Sequence, residues 1–204
     1  MSEGEFRRGA ISQILLFVSA LLLSLSYLIS TAIGFLEVVL LSFASYIFLL
    51  IFAAVFLSVT GNFVDKYRGS PVGKTASMFG IIVSMVGIIA YFILPIFPIL
   101  LMYYIAYSMD YLAFGGIAIL TGAFFLKYRE YFSNKGSWGL TGTVHIVTGF
   151  ALFISMAGLY LPGFLFSYLA VGFLLLLVAV MGIIGAISFL TAKPVESSRE
   201  EEST

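Results

Sequence analysis

Apolar residues along this chain fall into runs of about 20 or more, separated by short segments in which charges cluster. The runs are continuous and do not alternate, which is the pattern of a helix crossing a hydrocarbon layer rather than of a strand in a barrel. In lipid every backbone N–H and C=O must be paired within the segment, so continuous runs of this length predict helices. Six spans are predicted, over residues 11–31, 38–60, 75–97, 104–126, 139–160 and 165–191. Short turns join them in pairs at Ala32–Glu37, Pro95–Tyr103 and Leu161–Phe164. Pro95, Pro98, Pro162 and Gly163 suit those turns, since proline breaks the helix ladder and glycine permits tight reversal. The longer polar segments are the N-terminal tail, Asn62–Lys74 and Lys127–Trp138.

Charge fixes the expected orientation. Arg7 and Arg8 precede the first span, Lys66, Arg68 and Lys74 follow the second, Lys127, Arg129 and Lys135 follow the fourth, and Lys193 and Arg199 follow the sixth. With six spans, all ten basic residues fall on one side. The positive-inside rule then predicts cytoplasmic N- and C-termini in the plasma membrane of a prokaryote. Arg7-Arg8, an apolar run and Ser30-Thr31-Ala32 loosely fit a cleavable leader. The run is longer than a usual leader core and the charge partition needs the span, so the first span is expected to be retained.

Composition agrees with this. The 204 residues are 61% hydrophobic and 10% charged, with a mean hydropathy of +1.13. A soluble domain of this length has no interior large enough for so much apolar surface. The net charge of zero argues against a nucleic-acid partner. The absence of cysteine removes disulfides, thiolate metal sites and cysteine nucleophiles. The fold class expected is therefore an all-α integral membrane protein, with a six-helix domain over residues 1–192 and an acidic tail over 193–204. The tail lacks apolar periodicity and is expected to be disordered, and Ser2–Glu5 is expected to be frayed.

One phrase is written twice. Thr60-Gly-Asn-Phe-Val-Asp-Lys-Tyr-Arg68 closes the second span and Thr121-Gly-Ala-Phe-Phe-Leu-Lys-Tyr-Arg129 closes the fourth. Lys and Arg are expected among headgroups, with Tyr67 and Tyr128 as interfacial anchors and each Thr-Gly as a notch for a neighbouring helix. The third pair echoes the phrase in Gly185-Ala-Ile-Ser-Phe-Leu190, and the odd spans begin alike at Gly73-Lys74-Thr75 and Gly139-Leu140-Thr141. The layout predicts three tandem helical hairpins of about 60 residues each. Small residues four apart are expected to let helices approach, at Ala20/Ser24, Ser26/Ser30, Ala54/Ser58, Ala76/Gly80, Gly80/Ser84, Ala118/Gly122, Ala151/Ser155 and Gly182/Ala186.

The Gly73-Lys74-Thr75 start of a span after a tyrosine-rich loop, with hairpins rich in Gly, Ile and Leu, resembles uncharacterised multi-pass membrane proteins of archaea, catalogued as domains of unknown function. The resemblance is one of layout, covers most of the chain and implies no catalytic residue.

Three ionisable residues are candidates for chemistry, because such groups in a bilayer are costly. Asp110 lies about 25 Å along a helix from Lys127, near the outer end of the fourth span. Tyr103, Tyr107 and Tyr111 share its neighbourhood at helical spacing and are expected to supply hydroxyls to it. Two readings stand: a proton- or cation-responsive carboxylate facing a vestibule, or an interfacial acid reaching outer water. Glu37 is either a polar site at the outer face or an acid suited to the start of a helix. His145, the sole histidine, lies roughly 10 Å along a helix from Trp138. It is either a relay or ligand, or a satisfied polar group at a helix contact.

No HExxH or Walker loop occurs, and one histidine does not make a typical zinc site. The chain is therefore expected to be non-catalytic, without a metal or cofactor. Its expected role is an accessory subunit or scaffold in a membrane complex, in contact with lipid and with other subunits or its own copies. The alternative is a small transporter or channel for protons, cations or a hydrophobic solute.

Overall fold

The computed structural model describes residues 3–30, 35–67, 71–97, 100–157 and 164–195. It is all-helical apart from one isolated bridge: α1 spans Glu3–Leu28, α2 Phe35–Tyr67, α3 Val72–Ile93, α4 Leu100–Tyr128, α5 Lys135–Ala157 and α6 Phe164–Leu190. All six are long and apolar enough to cross a membrane.

All six helices begin before the predicted runs, and α2 and α4 also end beyond them, because a backbone ladder continues into polar sequence where side chains support it; α1, α3, α5 and α6 end one to four residues short. Glu3 and Glu5 lie in the first turn of α1, where acids suit the exposed N–H groups. Arg7 donates to Glu3 at 2.5 Å, one turn apart. The expectation of a frayed start is therefore corrected from Glu3 onward. Likewise α2 continues through the first copy of the repeated phrase as far as Tyr67, and α4 already begins at Leu100. Parts of the three predicted hairpin turns, residues 32–34, 98–99 and 161–163, lie outside the described residues, with Pro98, Pro162 and Gly163 among them, as do Arg68 and residues 196–204 of the tail.

Each helix packs against its neighbours in sequence, and α6 returns to α1, so the bundle closes into a ring. The α1–α6 and α4–α5 contacts are the most extensive, and α5–α6 is the least extensive of the neighbouring pairs. Glycine explains the α4–α5 approach. A Cβ on Gly122 would fall 2.5 Å from the Gly142 carbonyl oxygen, and one on Gly142 2.8 Å from that of Gly122. Gly115 and Gly149 repeat the arrangement one level on, at 3.2 and 2.7 Å. Among the expected small-residue pairs, Ala20 and Ser24 are buried, with Ser24 donating to the Gly172 carbonyl on α6 at 2.7 Å. Ala54 and Ser58 face outward instead, and it is Ala53 that meets Gly80 of α3.

Sidedness is inverted relative to a soluble protein. Serines 12, 19, 24, 26, 42, 45, 77, 84 and 188 are buried, while Phe92 at 63%, Ile82 at 60% and Ile154 at 76% lie exposed on the outer surface. Hydroxyls serve the contacts between helices: Ser19 and Ser45 each donate to the other's carbonyl at 2.8 Å across α1 and α2. Such bonds persist where lipid offers no competing partner.

The end that carries the termini is filled by rings. Trp138 packs on Phe132 at 4.4 Å, on Phe125 at 4.9 Å and on Phe189 at 5.2 Å. Its indole N–H donates to the Ser188 carbonyl at 3.2 Å. Phe63 and Phe124, equivalent positions in the repeated phrase, meet edge to face at 5.1 Å. Tyr128 is fully buried between these two rings, at 5.2 and 5.0 Å, which corrects its expected role as an interfacial anchor. The side chain of Tyr67 is not among those described. The connection between α4 and α5 is clasped to the segment after α6: the Ser133 N–H donates to the Lys193 carbonyl at 2.9 Å and that of Val195 to Tyr131 at 3.0 Å. Lys193–Val195 of the tail is thus ordered by pairing rather than free.

Candidate functional site: a buried aspartate held by three tyrosines

Asp110 lies in the interior of α4, ten residues after its first residue and so about 15 Å along the axis. It is 1% exposed. The reading of an interfacial acid reaching outer water is therefore corrected: the carboxylate faces protein. Its depth follows from the earlier start of α4, which the prolines before it obscured in sequence.

Three phenols from three other helices donate to it. Tyr27, in the last turn of α1, reaches Oδ2 at 2.9 Å. Tyr91, in the last turn of α3, reaches the same oxygen at 2.7 Å. Tyr46, within α2, reaches Oδ1 at 2.9 Å. One side chain on α4 thereby ties α1, α2 and α3 together. The rings pack as well as bond: Tyr46 lies 5.8 Å from Tyr91 and 6.1 Å from Phe114. Gly87 of α3 lies flat against the Tyr46 ring, where a side chain would strike it. That glycine lets the phenol reach α4.

The expected partners were Tyr103, Tyr107 and Tyr111, on the same helix as Asp110. The structure draws the phenols from elsewhere. Tyr103 lies half-buried between Phe35 at 5.5 Å and Tyr107 at 6.5 Å, Tyr107 packs on the Tyr27 ring at 5.9 Å, and Tyr111 is buried. Of the three, Tyr107 thus packs directly on a ring of the cluster. The three phenols that do bond were missed because they are distant in sequence. Tyr46 was the most legible, since a hydroxyl amid the apolar Leu41–Leu50 stretch needs an internal partner.

The electrostatics are those of a desolvated carboxylate. Removing it from water costs several kcal/mol, on the order of what a few charge-assisted donors return. The ion pairs among the described residues are Arg7–Glu3, Arg129–Glu130 and Lys135–Glu130, all exposed and none at Asp110. Chemically the cluster is a single acceptor with converging hydroxyl donors. It can hold helices together, or take up a proton by reversing one of those hydrogen bonds. Among the described residues no group of three His, Cys, Asp or Glu side chains could hold a metal ion.

Glu37 sits exposed in the first turn of α2, the position of an acid suited to a helix start. His145 is fully buried in α5, with Nδ1 2.9 Å from the Thr141 carbonyl oxygen. Its ring stacks on Phe125 at 6.2 Å, one level inward from the Trp138 cluster. Trp138 itself is fully buried within the protein. Neither Glu37 nor His145 joins the Asp110 cluster. The buried residues of α4 between Asp110 and Thr121 include Phe114, Ile117 and Ala118.

Comparison with family models, with curated proteins and with solved structures gives no match to this chain.

Proposed function

We propose that this chain is a non-catalytic, multi-pass membrane protein that serves as an accessory subunit or scaffold in a membrane complex. In this reading the Asp110 cluster is an internal lock. The observation that carries it is the closure of that cluster: a carboxylate at 1% exposure whose two oxygens receive three phenols from three separate helices. A group engaged on both oxygens by its own protein has the character of a structural tie. The outer surface offers lipid and partner subunits a nearly continuous apolar face. We further infer that both termini lie in the cytoplasm of a prokaryotic cell, from the partition of all ten basic residues. We also infer a derivation from three tandem hairpins, from the repeated phrase alone.

Solubilisation in mild detergent followed by identification of copurifying chains tests this reading. The expected result is a defined membrane partner or a defined oligomer. A protein that runs quantitatively as a lone monomer contradicts it.

A second reading has one observation in its favour. Asp110 is an ionisable group buried in an apolar bundle, and such groups mark proton and cation paths in membrane proteins. On that reading the chain carries protons or cations, and Asp110→Asn lowers flux in liposomes several-fold. Flux unchanged by the variant removes Asp110 from any such path.

A further inference from the structure

A second polar group lies in the bundle, apart from Asp110 and unused by the lock. Gln13 of α1, Thr121 of α4, and His145 and Thr148 of α5 are all buried, each at 1% exposure or less. Gln13 Nε2 and Oε1, Thr121 Oγ1, His145 Nε2 and Thr148 Oγ1 have no hydrogen-bond partner among the described residues. Buried polar atoms are ordinarily paired with protein or with ordered water, and five orphans facing the interior of the bundle from α1, α4 and α5 call for a partner beyond the chain itself.

The packing brings them to one level. His145 lies against α4, its Cβ 3.0 Å from where a Cβ on Gly122 would stand, and its ring stacks on Phe125. Thr121 precedes Gly122 and lies one turn from Phe125 on the same helix. Across the bundle, a Cβ on Gly185 would stand 2.8 Å from Gln13 Oε1 and 3.2 Å from Phe125 Cζ. Thr148 is one turn from His145. Gln13 and His145 therefore both lie near Phe125, with Thr121 one turn from that ring along α4 and Thr148 one turn from His145 along α5.

The side chains also avoid an available alternative. Thr75, Thr141, Thr191, Ser77, Ser84, Ser155 and Ser188 all donate to the carbonyl four residues earlier. Thr121 and Thr148, also inside helices, do not. His145 is specific in what it presents. A carbonyl only accepts, so the hydrogen bond to Thr141 puts the proton on Nδ1, and the neutral ring offers Nε2 as an acceptor. The set thus combines the Gln13 amide donors and the threonine hydroxyls with acceptors at Gln13 Oε1 and His145 Nε2. It carries no fixed charge, and the close glycines leave little room.

We propose that Gln13, Thr121, His145 and Thr148 form an internal binding site for water, shared by α1, α4 and α5 and lying just inward of the Trp138 ring cluster. A water molecule there donates to His145 Nε2 and accepts from a threonine or from Gln13 Nε2. A neutral molecule with both donors and acceptors matches the set, whereas an anion would face two acceptors and a cation no carboxylate.

Because His145 is the only histidine, solid-state NMR of histidine-labelled protein in lipid bilayers reads this site without ambiguity. Water-edited magnetisation transfer to the imidazole is the measurement. The expected result is transfer to a neutral, Nδ1-protonated ring, falling at least three-fold in Thr121→Val/Thr148→Val. A wild-type ring that receives no transfer overturns the proposal, and this holds even if the variant fails to fold. Transfer of unchanged intensity in the folded variant overturns the assignment of these residues. Thermal unfolding provides a further check. Valine lowers the midpoint if the hydroxyls hold water, and leaves it unchanged or raised if they are unpaired, which would also count against the site.

Discussion

At the scale of single residues, the decisive feature is how much each interior position is asked to do. Tyr46 fills space beside Phe114 and Tyr91 and also donates to Asp110. Its placement depends on the missing side chain of Gly87. Gly87→Ala is expected to push the ring aside, weakening a hydrogen bond as well as packing, and to cost about 1–3 kcal/mol. Thermal unfolding in detergent measures this. In a Tyr46→Leu background the same substitution should cost much less, because the ring it strikes is gone. Equal costs in both backgrounds would mean that Gly87 matters for another reason.

At the scale of elements, the repeated phrase gives a sharp comparison. Gly61 and Gly122 occupy the same place in it. Among the described residues, a Cβ on Gly61 would meet only Lys74 Cε, at 3.8 Å, whereas one on Gly122 would press on the α5 backbone at 2.5 Å. Gly61→Ala is therefore expected to be neutral or to stabilise by up to about 1 kcal/mol through helix propensity. Gly122→Ala is expected to destabilise by about 1–3 kcal/mol by forcing α4 and α5 apart. Unfolding midpoints for the two variants, measured side by side, check the opposite signs. This contrast also marks what was legible in the chain. The number and order of helices followed from apolar runs, because a hydrocarbon-length run has few other uses. The faces of those helices did not, since nearly every position is apolar. Ala54/Ser58 and Ala53 read alike until the packing of α3 separates them. Asp110 was legible as costly, but its partners were not, because hydrogen bonds between spans leave no spacing in sequence. Tyr128 was misread because a ring beside Lys127 and Arg129 looks interfacial, although Phe124 one turn earlier lies on the same inward face.

At the scale of the whole molecule, a closed ring of six apolar helices turns its polar groups inward and its aliphatic groups outward. The absence of cysteine makes its sidedness easy to measure. Single cysteines at Ser2 and Ser203 are expected to react with an impermeant thiol reagent only from the cytoplasmic side, and one at Phe97 only from outside. Labelling of both termini from outside would reverse the orientation, and labelling from opposite sides would break the six-span count. On the proposed reading, Asp110 acts through its three phenols to hold α1, α2 and α3 against α4. The loss of thermal stability caused by Asp110→Ala, measured in the wild type and in Tyr27→Phe/Tyr46→Phe/Tyr91→Phe, tests this. The prediction is a loss of about 2–4 kcal/mol in the wild type, where three hydroxyls are left buried without an acceptor, and little further loss in the triple variant. The same loss in both backgrounds would contradict the lock.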